Sequence, residues 1–139
     1  MRQLLAHLIG DYILQNHTMA NLKKQYGLAA AIHAVLYTVP FFFLTTSPIA
    51  LLVICVTHGV IDHFSLAQYW VRFWGIGQQG WVTQQLGPVL GIPQTVLDRV
   101  RAPAPIWLSV WLLFIVDNIM HLVINFLSLR YLGCWEWSQ

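Results

Sequence analysis

Four apolar stretches, separated by polar or glycine-rich connections, divide the chain. Their hydrophobic pattern predicts helices over residues 2–16, 27–44, 49–70 and 106–132, and a long loop over 71–105. A membrane-spanning helix needs about 20 apolar residues, and three of the four stretches approach or exceed that length. The pattern therefore predicts an all-α fold: one integral membrane domain, a bundle of four transmembrane helices with an interfacial loop before the last.

The composition points in the same direction. The 139 residues are 58% hydrophobic and only 9% charged, whereas soluble domains are about 25% charged. The mean hydropathy is +0.62. A net charge of +2 is too small to indicate a nucleic-acid partner. Cys55 and Cys134 have no spacing typical of a zinc knuckle or a disulfide framework.

The basic residues predict an orientation, because cytoplasmic connections carry an excess of lysine and arginine. Two basic residues, Arg2 and Arg130, lie on the side of the predicted bundle that holds both termini. The other side holds five: Lys23, Lys24, Arg72, Arg99 and Arg101. We therefore expect both termini to be non-cytoplasmic.

Three pairs of histidine and aspartate lie inside the apolar stretches. The pairs are His7 with Asp11, His58 with Asp62, and, in reversed order, Asp117 with His121. Residues four apart share one face of a helix. Ionisable groups at membrane depth are costly and usually functional.

The reversed order of the third pair predicts that the pairs converge. The last helix runs opposite to the first and third, so the reversal places all three histidines in one layer and all three aspartates in another, about 6 Å away. His33 on the second helix can join them. The predicted metal ligands are His7, Asp11, His33, His58, Asp62, Asp117 and His121.

Imidazole together with carboxylate is typical of metal sites in helical bundles. Zinc is the expected metal, with iron or manganese as alternatives, and carboxylate bridging would allow two metals. Two other interpretations stay open: a buried polar network that fixes the helix register, and a path for protons or ions. Tyr37, Gln15 and Asn125 are each one turn from a candidate ligand and could support it by hydrogen bonds.

At these residues the chain resembles a family of small bacterial and phage membrane proteins known only as a domain of unknown function, family 3307. The family motif H-L-x-G-D-F/Y-x-L-Q corresponds to His7–Gln15, and the chain also has the family's His33 and Tyr37 and its H-x-x-I-D at His58–Asp62. The family motif D-Q-x-x-H is altered, because Asn118 replaces its glutamine. Ser65 stands at a position after the H-x-x-I-D motif where members of the family often have a lysine. The resemblance implies a multi-pass protein of a bacterial inner membrane.

A looser similarity, in H-x-x-x-D pairs on short apolar helices, exists with bacterial inner-membrane metal-dependent hydrolases. Together with the predicted site it favours a membrane-embedded metal-dependent hydrolase that acts on a lipid or lipid-linked substrate, with Asp62 or Asp117 as general base. Two non-enzymatic alternatives are a proton or metal-ion pathway subunit, which would need to form a homo-oligomer, and a phage or host interaction factor.

The predicted orientation can be tested by labelling cysteines placed in the terminal tails. In intact cells, an impermeant thiol reagent should modify both tails, because the more basic side of the bundle is expected to face the cytoplasm. Tails that react only after the cells are opened would reverse the orientation.

Overall fold

The described part of the chain is mostly helical. The computed structural model describes residues 1–15, 17–74, 85, 88–93, 95–96 and 105–133, and no strand occurs among them. The elements in order are α1 (Arg2–Leu8), a π-helical segment (Ile9–Ile13), α2 (His17–Leu22), α3 (Gly27–Thr38), a 3-10 segment (Val39–Phe43), α4 (Pro48–Phe64), α5 (Leu66–Trp74) and α6 (Ile106–Tyr131). The predicted all-α fold is confirmed.

The chain forms two compact units. One contains Met1–Ser65 and Ile119–Gln139, and the other contains Leu66–Asn118. In the first unit α3 packs against α4, and Gly59 allows this approach because a Cβ atom there would lie 3.2 Å from the Cβ atom of Ala34. The apolar core of this unit consists of Ala6, Tyr37, Phe41, Leu51, Ile54 and Leu129.

In the part of the chain that the structure describes, fewer helices are long enough to span a membrane than the four that the sequence predicts. Among the described residues only α6, with 26 residues and a mean hydropathy of 1.9, is long and apolar enough to cross a membrane by itself. A second span exists only if α4 and α5 are counted as one. The reason is that α4 has 17 residues, which at 1.5 Å per residue is about 26 Å, less than the about 30 Å of a bilayer core.

The ends of α4 are fixed by local backbone chemistry. The Ser47 hydroxyl accepts a hydrogen bond from the backbone N–H of Ala50 at 3.4 Å, and Pro48 occupies the first turn. At the other end Ser65 has φ 50° and ψ 46°, a left-handed conformation that stops the helix. The prediction of one helix over 49–70 is therefore wrong beyond Phe64, where the chain starts α5 instead.

The first predicted helix, 2–16, changes its hydrogen-bond pattern halfway. After α1 the backbone widens into the π-helical segment, and the N–H of Leu14 donates to the carbonyl of Ile9 five residues earlier, at 3.0 Å. Gly10 lies in this segment directly against Tyr37, where a Cβ atom would be 2.6 Å from the tyrosine ring. The widened turn therefore brings the residues around Gly10 close to α3.

The other predicted elements also differ from the structure at their boundaries. The α-helical part of the predicted helix 27–44 ends at Thr38, because Pro40 lacks an N–H group and the chain continues as a 3-10 turn. The predicted polar connection before it contains α2. Most of the predicted loop 71–105 lies outside the described residues.

The close approach at Gly10 generates a stability prediction. Gly10→Ala should lower the melting temperature clearly, because the new methyl group meets both the ring and the backbone of Tyr37. Gly27→Ala is the matched control, since no atom lies within 4 Å of its Cβ position. Thermal unfolding of both variants checks this, and equal melting temperatures would show that the contact is unimportant.

Candidate metal centre

Two carboxylates and two imidazoles from three elements converge in the first unit. Asp11 comes from the π-helical segment, His33 from α3, and His58 and Asp62 from successive turns of α4. One ligand atom from each residue lies within 4.8 Å of every other. We refer to these four residues as the His/Asp cluster.

The distances within the cluster are those of ligands around one small cation. His33 Nε2 lies 3.3 Å from both Asp11 Oδ1 and Asp62 Oδ2. His58 Nε2 lies 3.4 Å from Asp11 Oδ1 and 3.2 Å from Asp62 Oδ2. The two Nε2 atoms are 3.0 Å apart. Tetrahedral ligands bound at about 2.0–2.1 Å are about 3.3–3.4 Å from one another, so the cluster can hold a metal ion without large movements.

Hydrogen bonds leave part of this arrangement unsatisfied. A neutral imidazole has one N–H group, yet His33 Nε2 and His58 Nε2 face each other and both carboxylates. Within the described part of the chain, Asp11 Oδ1 makes no hydrogen bond although it is buried. Buried carboxylate oxygens are normally hydrogen-bonded or paired with a cation. These carboxylate oxygens and imidazole nitrogens are therefore suitable ligands for a divalent cation.

A lysine also reaches the cluster. Lys23 Nζ lies 2.6 Å from Asp62 Oδ2, 3.2 Å from Gln15 Oε1 and 3.5 Å from His33 Nε2. The sequence pattern places Lys23 only in a basic connection, because no spacing links it to Asp62, which is 39 residues away. Gln15 accepts a hydrogen bond from Lys23, and its support of Asp11 stays a prediction.

Tyr37 joins the cluster to its surroundings. Its hydroxyl accepts a hydrogen bond from Asn125 Nδ2 at 2.6 Å and lies 2.9 Å from His7 Nδ1. Its ring stacks on His58, with centroids 3.5 Å apart and planes 5° apart. His7 Nδ1 is also 3.3 Å from Asp11 Oδ2, so His7 contacts the cluster from outside the four-residue group. Tyr37 thus supports the candidate ligands His7 and His58, and Asn125 reaches them through Tyr37, whereas direct support of His121 by Asn125 stays a prediction.

The third predicted pair lies on α6. His121 Nδ1 is 3.1 Å from His58 Nδ1, and His121 Nε2 is 3.4 Å from Asp62 Oδ1. Carboxylates and imidazoles therefore interleave, where separate layers were expected. Asp117 lies one turn before His121 on the same helix, in the second compact unit, and its place among the ligands stays a prediction.

These observations define a helical protein with a buried cluster of histidine and aspartate that can hold a metal ion. The chain belongs to a family described as a protein of unknown function (DUF3307), whose sequence model matches residues 1–86. The matched region contains the whole His/Asp cluster together with Lys23 and Tyr37, but not α6. No curated protein and no solved structure matches the chain.

The contacts of Tyr37 predict its contribution to stability. Tyr37→Phe keeps the stacked ring but removes a hydrogen-bond partner of both Asn125 and His7, so the free energy of unfolding should fall by about 1–3 kcal/mol. Tyr26→Phe is the control, because Tyr26 is 59% exposed. Denaturant titration in detergent measures both values. A Tyr37 variant as stable as the control would contradict the assigned contacts.

Proposed function

We propose that the chain is a membrane-embedded, metal-dependent hydrolase whose metal is held by Asp11, His33, His58 and Asp62. The observation that carries the proposal is the set of distances among their ligand atoms, 3.0–3.4 Å for five of the pairs. Zinc suits this mixture of imidazole and carboxylate best, with iron or manganese as alternatives.

The distribution of polar and apolar residues supports a membrane location. On α4, His58 and Asp62 are buried, while the opposite face exposes large apolar side chains. The exposed residues of α3 and α4 include Leu28, Ile32, Val35, Ile49, Leu52, Val56 and Val60. Large exposed apolar patches are uncommon on soluble monomers. A polar interior under an apolar exterior is expected where lipid surrounds the helices.

The chemistry follows from the side chains in the cluster. A divalent metal held by these four side chains would supply Lewis acidity, and it would need a fifth coordination position to activate water and polarise a phosphoryl or acyl oxygen. Asp62 is the carboxylate best placed to accept a proton, because its Oδ1 atom lies 3.4 Å from His121 Nε2, which can take part in the transfer. Asp117, one turn from His121, is the second candidate general base.

The location of the cluster suggests the substrate class. A site among apolar-faced helices is reached most directly from the bilayer, so we propose a lipid or lipid-linked phosphate or ester as substrate. The multi-pass topology and the non-cytoplasmic termini belong to the same proposal.

One observation favours a different, non-enzymatic function. The ammonium of Lys23 already lies 2.6 Å from Asp62 Oδ2 and can neutralise part of the cluster without a metal. Histidine, aspartate and lysine would then form a buried polar network that holds the helices together, or a path for protons. The two candidate functions differ in whether the purified protein contains a metal ion.

The metal proposal predicts the behaviour of two variants. Protein purified without chelators should contain close to one equivalent of a transition metal. His58→Ala should lower both metal content and melting temperature, because it removes a ligand and leaves the carboxylates together. Asp62→Asn should lower metal content with a smaller loss of stability, because it keeps the shape and removes one charge.

Val56→Ala is the control, because Val56 is on the same helix and is 54% exposed. Elemental analysis and thermal unfolding measure the outcomes. Less than about a tenth of an equivalent of metal in the wild type, with all variants melting alike, would eliminate the metal site, since metal binding coupled to folding must change stability. Hydrolysis is tested separately, by product release from phospholipid vesicles; stoichiometric metal without any product would eliminate only the hydrolase assignment.

A further inference from the structure

We infer that the Lys23 ammonium competes with the metal ion for Asp62, so that metal binding displaces the lysine side chain from the cluster. This inference rests on the proposed metal site. Lys23 would lower the affinity of that site for metal, a role that the sequence pattern did not reveal.

The ammonium lies against ligand atoms of the proposed metal site. Its contacts to Asp62 Oδ2 at 2.6 Å and His33 Nε2 at 3.5 Å involve two of the four candidate ligand atoms. The third contact, to Gln15 Oε1 at 3.2 Å, orients the amine. The Lys23 side chain is only 12% exposed, which shows that it is part of the cluster and not of the surface.

Two cations cannot share this oxygen without a large penalty. A divalent ion bound to Asp62 Oδ2 would lie within a few ångströms of the ammonium, and repulsion between charges is strong where little water screens it. His33 Nε2 has one lone pair in its neutral form, which either accepts from the lysine or binds the metal. Metal binding and the present position of Lys23 are therefore alternatives.

The chain can release the side chain without unfolding. Lys23 directly follows α2, and the His63 ring N–H donates to its backbone oxygen at 2.9 Å. That hydrogen bond holds the backbone of the turn on α4, while the four-carbon stem of the lysine can rotate. In the metal-free protein the ammonium then neutralises Asp62, and the site fills only when the metal concentration overcomes this competitor.

The neighbouring Lys24 provides a matched comparison. It is exposed, and removing it changes the net charge by the same amount. Zinc titration by calorimetry of the detergent-solubilised chain, first stripped of metal with a chelator, should show that Lys23→Met binds zinc at least about tenfold more tightly than the wild type. Lys24→Met should stay within about twofold of the wild type, because exposed charges interact weakly. Equal or weaker binding by Lys23→Met would overturn the inference.

A second measurement uses the wild type alone and does not depend on how a variant folds. Lys23 and Lys24 are the only lysines in the chain, so reductive methylation followed by mass spectrometry reports on both. Lys24 should react with and without zinc, whereas Lys23 should be protected without zinc and react once zinc is bound. Protection of Lys23 in zinc-loaded protein would contradict displacement.

The outcomes separate this inference from the proposed function. If the wild type binds zinc and neither Lys23→Met nor methylation differs as described, the metal site stands and the competition is wrong. If neither the wild type nor Lys23→Met binds zinc, both proposals fail, and Lys23 is the permanent counter-ion of a polar network.

Discussion

The pairing of two buried carboxylates with positive charge is the constraint on which the first unit depends. Asp11 and Asp62 lie among imidazoles, away from most solvent, and their negative charges repel unless a cation or protons intervene. The neighbouring imidazoles can share protons, and Lys23 supplies one full positive charge. A divalent metal would supply more positive charge to the same carboxylate, which is the basis of the proposed competition between lysine and metal.

Close packing of the surrounding helices brings the charged and polar groups of the cluster together. Gly10 lets the segment that carries Asp11 approach Tyr37, and Tyr37 in turn stacks on His58 and contacts His7. Gly59 lets α4 approach α3, which brings His58 and His33 to within 3.0 Å of each other. Small residues at these crossings therefore let the helices approach closely enough to position the polar groups.

Local spacing in the sequence predicted part of this arrangement. The pair His58 and Asp62 lies on one face of a helix because of the 3.6-residue repeat, and the apolar stretches indicated helices throughout. Spacing could not find Lys23, whose contact with Asp62 joins distant segments. The stop at Ser65 was also missed, because a left-handed serine has no strong sequence signal.

The central claim is that Asp11, His33, His58 and Asp62 surround one cation, and X-ray absorption spectroscopy of zinc-loaded protein tests it most directly. The account predicts a shell of about two imidazole nitrogens and two carboxylate oxygens at about 2.0–2.2 Å, with no sulfur. A shell of water oxygens alone, or one with a thiolate ligand, would contradict it.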